Sequence, residues 1–353
     1  MHIRAPLKAT CSRTPPEWFS SLATWAAQYD VGGLQVYARI DQTSYDCSFG
    51  SAIIADGSKE PMTTHSKLPY ASLTKVFTST LALKQAALGF VHLDANVNDT
   101  LGLDGFALKN RHRWERATLA MLLRHRAGFD SRVSGDPMFW RSPPCPVGLE
   151  RLEPVPVDFE PDTGFAYSNL GYCLATVVLE RSSGTTFSEL LQTELLEPLD
   201  LPVVELSGRD DLRAYGIALH VQHRADKELL DSLDWRSFRG VGNLAGTAHD
   251  FGRLLEQLVD PNGPLGEIGA RLMEPLPNCD ETKWRHCHGL AFYSHRESEG
   301  RRMFWRDGSL PGATAFAAIT ETDDVFVLLG NGRDPARWLS IHDELGRIVY
   351  ERL

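Results

Sequence analysis

Ser72 and Lys75 stand three apart in Ala71-Ser72-Leu73-Thr74-Lys75. On a helix, side chains at i and i+3 share a face, so the hydroxyl and the amine can meet. A serine hydroxyl is a weak nucleophile at its own pKa and needs an adjacent base. A lysine can be that base once its pKa falls from about 10.4 toward 7, roughly 4–5 kcal/mol of differential solvation that burial or a nearby cation can supply. The plainer reading of the same tetrad is a serine helix cap followed by a surface lysine.

A second group follows in Pro161-Asp-Thr-Gly164-Phe-Ala-Tyr167-Ser168-Asn169-Leu-Gly171-Tyr172. A Tyr and an Asn two apart can face one cleft from a short loop while Ser168 turns away. Tyr167 can relay a proton, and the Asn169 amide can hold a substrate carbonyl or the lysine. The structural alternative is a turn with a helix cap at Ser168. The third group is Trp305-Arg306-Asp307-Gly308-Ser309-Leu-Pro-Gly312. Gly308 lets the backbone approach a ligand, and the Ser309 N–H can point at an oxyanion. Here the alternative is a hairpin turn rich in Gly and Pro.

SxxK, then YxN, then a late strand turn of the [KH]xG type resembles the serine β-lactamase and penicillin-recognising enzyme family. The similar branch holds class C β-lactamases, DD-peptidases, D-aminopeptidases and related esterases and acyltransferases. Supporting segments fall in the same order: Gly33-Leu-Gln-Val, Gly89-Phe-Val-His-Leu-Asp94, Leu122-Leu-Arg-His125-Arg-Ala-Gly128-Phe, Gly242-Asn-Leu-Ala-Gly-Thr247-Ala-His-Asp250 and His288-Gly-Leu-Ala-Phe. The resemblance makes Ser72 the nucleophile, Lys75 its base or proton partner and Tyr167 the proton relay. Asn169 would hold the substrate or orient Lys75, and the N–H groups of Ser72 and Ser309 would form the oxyanion hole. One departure stands out: Arg306 occupies the Lys or His position. Arginine keeps the charge but exchanges no proton near neutral pH. It can lower the pKa of Lys75 or Tyr167, or fork onto a substrate carboxylate.

These groups need a scaffold. Thr14-Pro15-Pro16 reads as a helix start, with Trp18, Leu22, Trp25 and Tyr29 at helical spacing. Extended segments follow at 33–39 and 44–54. Helical patterns cover 72–87, 118–125 and 188–196, whereas 130–164 holds seven prolines and reads as a long ordered loop. Strand signals return at 288–293, 302–306, 313–320 and 325–330, and a last amphipathic helix from Pro335 should bury Trp338, Ile341, Leu345 and Ile348. The expected fold is α+β: one antiparallel sheet from residues 1–66 and 285–353, flanked by terminal helices. Residues 67–284 form a large, mainly helical insertion, with the active site in the cleft between the two.

Other chemistries are poorly supported. The chain lacks GxxxxGK[ST], HExxH and GxSxG. Gly240-Val-Gly242-Asn-Leu-Ala245 loosely matches a dinucleotide turn without the apolar strand that must precede one. His286-Cys287-His288 reads as a strand with half-exposed histidines, since no third metal ligand is evident. The run Lys109, Arg111, Arg113, Arg116, Arg124, Arg126 reads as a solvated helix face, with anion binding as the alternative. Hence no metal and no cofactor are expected.

The 353 residues carry 36 Lys+Arg against 46 Asp+Glu, a net charge of −10 that argues against nucleic acid as a partner. No apolar run is long enough for a membrane span, and none near residue 1 suits a signal peptide, so a cytoplasmic location is expected. The six cysteines, with no CxxC among them, are expected to be reduced. The expected partner is a small-molecule ester or amide; the oligomeric state is left open. A carboxylesterase or amide hydrolase is the leading expectation. Alternatives are an acyltransferase of specialised metabolism, a β-lactamase or DD-peptidase, or an inactive ligand-binding homologue.

Overall fold

The computed structural model describes residues 7–53, 58–133, 135–136, 148–298 and 300–353. Its strands are β1 (Ala9–Cys11), β2 (Gly33–Ile40), β3 (Thr43–Ile53), β4 (Lys59–Pro61), β5 (Leu68–Pro69), β6 (Val204–Glu205), β7 (Leu244–Gly246), β8 (Cys287–His288), β9 (Tyr293–His295), β10 (Met303–Leu310), β11 (Ala313–Thr320) and β12 (Val325–Asn331). The helices are α1 (Phe19–Gln28), α2 (Thr74–Ala87), α3 (Val97–Leu101), α4 (Arg111–Trp114), α5 (Leu119–Leu123), α6 (Asn169–Ser183), α7 (Phe187–Leu191), α8 (Arg209–Ala214), α9 (Arg224–Ser232), α10 (Ala248–Val259), α11 (Gly266–Leu272) and α12 (Trp338–Tyr350).

A nine-stranded sheet runs in the order β1-β3-β2-β12-β11-β10-β9-β8, with β4 on β3, and its pairs are antiparallel. The expected α+β sheet is therefore present, built from both ends of the sequence. The central strands read almost wholly apolar because both faces are covered. Phe316, Ala318, Phe326 and Leu328 point to one side, where Trp25 of α1 and Ile341 and Leu345 of α12 complete a core. Their neighbours Ala315, Ala317, Val325, Val327 and Leu329 point to the other side and join Phe77 and Phe251. This two-residue alternation is the strand period. The Trp25 indole donates to Ile341 O at 3.1 Å and ties the terminal helices together.

Helix α2 is buried on every side, Thr74 to Leu83 without a break. A helix enclosed all round belongs to a protein's centre, and it carries Lys75 there.

Several expectations need correction. The segment expected as one strand at 288–293 is two short ones, β8 and β9, with Cys287 opposite Ser294 and His288 opposite Tyr293. His288 is buried rather than half exposed, while His286 is exposed. The third motif lies within β10, which runs on to Leu310 instead of stopping at Arg306. In α12, Ile341, Leu345 and Val349 fill the core while Ile348 packs at its edge. The side chain of Trp338 lies outside the described residues, as do four of the loop's prolines, 137, 143, 144 and 146. The expected reduced thiols are also revised: Cys11–Cys47 and Cys279–Cys287 are disulfides, the first between directly paired positions of β1 and β3. Cys173 is a buried free thiol.

Candidate active site

Three elements converge on one hydroxyl. Ala71–Leu73 form a 3-10 turn that leads into α2, and Ala71 takes a positive φ of 47° there. That bend presents Ser72 at the helix entrance while Lys75 faces it from the next turn, with Nζ 3.1 Å from Ser72 Oγ. Tyr167 approaches from just before α6 and places its hydroxyl 2.7 Å from the same Oγ. Ser168 does cap α6, accepting from Gly171 N at 3.1 Å, so the cap and the cleft-facing tyrosine coexist.

Lys75 is fully buried, and Nζ also donates to Val241 O at 2.7 Å. The glycine-rich turn at 240–245 thus supplies a backbone acceptor to the lysine. Burial, then the charge of Arg306, push the Lys75 pKa well below its ordinary value, against the weaker opposing pull of Asp136 and Asp307. Burial raises the Tyr167 phenol, while Arg306 and the Ser72 hydrogen bond pull it back. A hydroxyl set between such an amine and such a phenol can pass its proton to the neutral amine directly, or through the phenol if that group hands its own proton on as it takes one.

Arg306 decides how the departure in the third motif is read. It is wholly buried; Nη1 reaches His288 Nε2 at 2.7 Å and Ala291 O at 2.8 Å. Its guanidinium carbon lies 5.7 Å from the ring centres of both Tyr167 and Tyr172. The arginine therefore acts from behind the tyrosines as a fixed positive charge. Its neighbour Asp307 points to the opposite face of β10, onto Arg285 at 2.9 Å and toward His342 at 3.5 Å. Burial would raise the Asp307 pKa, but Arg285 and His342 outweigh it and hold the carboxyl ionised.

Gly308 is where β10 touches the Ala71–Leu73 turn. A Cβ there would stand 2.6 Å from Tyr70 O and 3.0 Å from Ser72 N. The next residue, Ser309, carries a backbone donor that is turned away from β11. Glu321 N bonds Arg302 O at 3.0 Å, and the alternation of an antiparallel ladder then assigns the even-numbered residues of β10 to bonds with β11. Ser309 is odd, so its N–H points to the other edge, beyond the end of the β9 pairing at Trp305.

Asn169 lies at the start of α6, and its Nδ2 donates to Asp136 Oδ2 at 2.8 Å. Sequence reasoning passed over Asp136, which carries no motif of its own. His125 was noticed only inside a supporting segment, and His288 only there and as a strand histidine beside Cys287. His125 Nδ1 accepts from Ser168 N at 3.1 Å, and its ring lies 4.4 Å from that of Tyr167. Both imidazoles are buried, and that burial first, then neighbouring cationic groups, pushes their pKa values well down. The basic run is engaged within the chain: Arg113 and Arg116 bond Glu160, Arg126 bonds Asp162, and Arg111 lies near Asp104.

The Beta-lactamase family model matches residues 20–348. The chain belongs to that family. Among curated relatives it is 29% identical over 289 residues to a protein named for fimbrial assembly (FimD, serogroup D) of Dichelobacter nodosus, covering 77% of this chain and 68% of the relative. It is 26% identical over 333 residues to penicillin-binding protein 4 of Amycolatopsis lactamdurans, covering 90% and 84%. It is 27% identical over 297 residues to lovastatin esterase of Penicillium rubens, covering 76% and 72%. D-amino acid amidase from Ochrobactrum anthropi SV3 shares the fold, with a TM-score of 0.72 at 19% identity over 92% of this chain and 94% of the amidase. No helix among the described residues is long and apolar enough to cross a membrane.

Proposed function

We propose that this chain is a serine hydrolase that carries the acyl group of a small ester or amide on Ser72. The observation behind it is the position of Ser72 Oγ, 3.1 Å from Lys75 Nζ and 2.7 Å from Tyr167 Oη. In the proposed cycle, Ser72 Oγ attacks the carbonyl carbon and its proton passes to the Lys75–Tyr167 pair. The N–H groups of Ser72 and Ser309 receive the developing oxyanion. Collapse expels the alcohol or amine, which takes the proton. Water then attacks the acyl ester, loses a proton to the same pair, and Ser72 leaves with that proton as the acid departs. The cleft between the sheet of residues 1–66 and 285–353 and the helical insertion 67–284 would hold the acyl group.

An esterase and an amidase stand among the similar proteins, which supports ester and amide substrates. Engagement of Arg306 by His288 and Ala291 disfavours a substrate anchored by its own carboxylate. The test is intact-protein mass after brief exposure to an activated short-chain ester. Wild type should gain one acyl group and Ser72→Ala none. Equal labelling of both proteins, or no labelling together with no turnover, would overturn the proposal. Added amines or alcohols would then divide transferase from hydrolase by the product formed.

A further inference from the structure

A three-residue chain reaches the oxyanion strand from outside the three motifs. Arg333 lies just past β12, after Gly332, whose φ of 109° turns the backbone and whose N–H bonds Gly312 O at 2.6 Å. From there Arg333 Nη1 donates to Ser309 Oγ at 2.7 Å. The other side of the guanidinium forks onto Asp226, with Nε 3.1 and 3.0 Å from its two oxygens and Nη2 on one of them. Asp226 sits on α9 and is 2% exposed; the Arg333 side chain is 10% exposed. The segment before α9 is laced to the sheet by Leu219 N on Ile53 O and His220 N on Gly312 O, at 2.8 and 3.1 Å.

The geometry points to Arg333 as a positioning residue for the oxyanion hole: anchored by Asp226, it holds the Ser309 hydroxyl and so aims the Ser309 N–H. This rests on the proposed acyl-Ser72 chemistry. Beyond Trp305, β10 has no β9 partner, so on that edge the strand lacks the ladder bonds that keep an amide in place. A side-chain tether substitutes for them. A guanidinium suits the task because it can fork onto one carboxylate and still donate from its remaining nitrogen.

The test is steady-state kinetics on an activated ester with Ser309→Ala, Arg333→Met, their double variant, Arg333→Lys and Ser72→Ala, each checked by thermal melting. Ser309→Ala keeps the backbone donor and a small side chain, so it folds even if the arginine variants suffer. Removing an oxyanion donor outright costs about 10²–10³-fold in kcat, and loosening one should cost less, about tenfold. The expected pattern is a kcat loss of that size in both single variants, KM within about twofold, no further loss in the double variant, and partial recovery with lysine. A merely structural arginine would lower the melting temperature without this shared kcat loss. Multiplying losses, an effect on KM alone, or wild-type kcat in Ser309→Ala would overturn the inference. If Ser72→Ala kept full activity, the acyl-serine reading itself would fall, a result separate from the tether's.

Discussion

Arg306 donates from Nη1 to the Nε2 of His288 at 2.7 Å, and the far nitrogen of that imidazole lies 2.7 Å from Gly289 O. A carbonyl oxygen can only accept, so the proton sits on Nδ1 and Nε2 offers its lone pair to the arginine. The histidine is thereby a neutral acceptor, consistent with its lowered pKa. The guanidinium is held inward, where its charge acts on Lys75 and Tyr167 instead of meeting solvent.

Removing that charge should move the pH dependence of the ester reaction. Arg306 lowers the Lys75 pKa and Asp136 raises it. A base must be unprotonated, so Arg306→Gln should shift the acid limb of the kcat/KM profile to higher pH and Asp136→Asn to lower pH. Opposite displacements would support Lys75 as the titrating group; unmoved limbs would reject it.

Tyr167→Phe keeps the ring packed on His125 and deletes only the hydroxyl beside Ser72. Loss of a proton relay costs roughly 10²–10⁴-fold. We expect kcat to fall within that range with the melting temperature nearly unchanged. Near-wild-type turnover would remove Tyr167 from the proton path.

Gly308→Ala would place a methyl 2.6 Å from Tyr70 O and 3.2 Å from Ala71 Cβ. Backbone and a short side chain cannot swing aside, so β10 must withdraw from the nucleophile turn. Overpacking of this kind costs about 1–3 kcal/mol. Denaturant midpoints should show that loss, and ester turnover should fall with it because the oxyanion donor on the next residue moves too.

The buried imidazoles predict acid sensitivity. His125 and His288 have folded pKa values below the ordinary 6.5, so the unfolded chain binds more protons in the interval between. Stability then rises with pH across that interval and is lost as pH falls below about 6.5. Melting temperatures from pH 7.5 to 5 should decline, and His125→Gln should flatten the slope. A level profile in wild type would contradict neutral burial.

Mass analysis can check the cysteines. Alkylation of the denatured protein with and without prior reduction should differ by four groups, from Cys11–Cys47 and Cys279–Cys287. No difference would return all of them to the thiol state.

The three motifs were readable because each is local: Ser72 and Lys75 share a helix face, and Tyr167 flanks its own cap. The sheet was readable from short, nearly continuous apolar runs such as β11 and β12. What stayed hidden depends on residues distant in sequence meeting in the fold. Nothing near Asp136 announces that it will bond Asn169. Arg333 and Asp226 are ordinary charges until a turn after β12 brings them together. His288 resembled a half-exposed strand residue because its cover comes from His125, Phe165 and Arg306, none of them nearby in sequence. The cysteine reading failed for a related reason, since Cys11 meets Cys47 only through a short edge strand that the amino-acid pattern barely marks.

The pairing of β2 with β12 sets Gln35 opposite Leu329. During synthesis, β2 and β3 leave the ribosome with one side of their hairpin open, and the strand that closes it is translated only after the whole insertion. The insertion can collapse around α2 and α6 while the sheet waits. Such long-range closure makes for high contact order and slow maturation, with an unsatisfied strand edge exposed meanwhile. The Ala71–Leu73 turn gains its β10 neighbour late in that process, so the proposed active site is among the final parts to assemble.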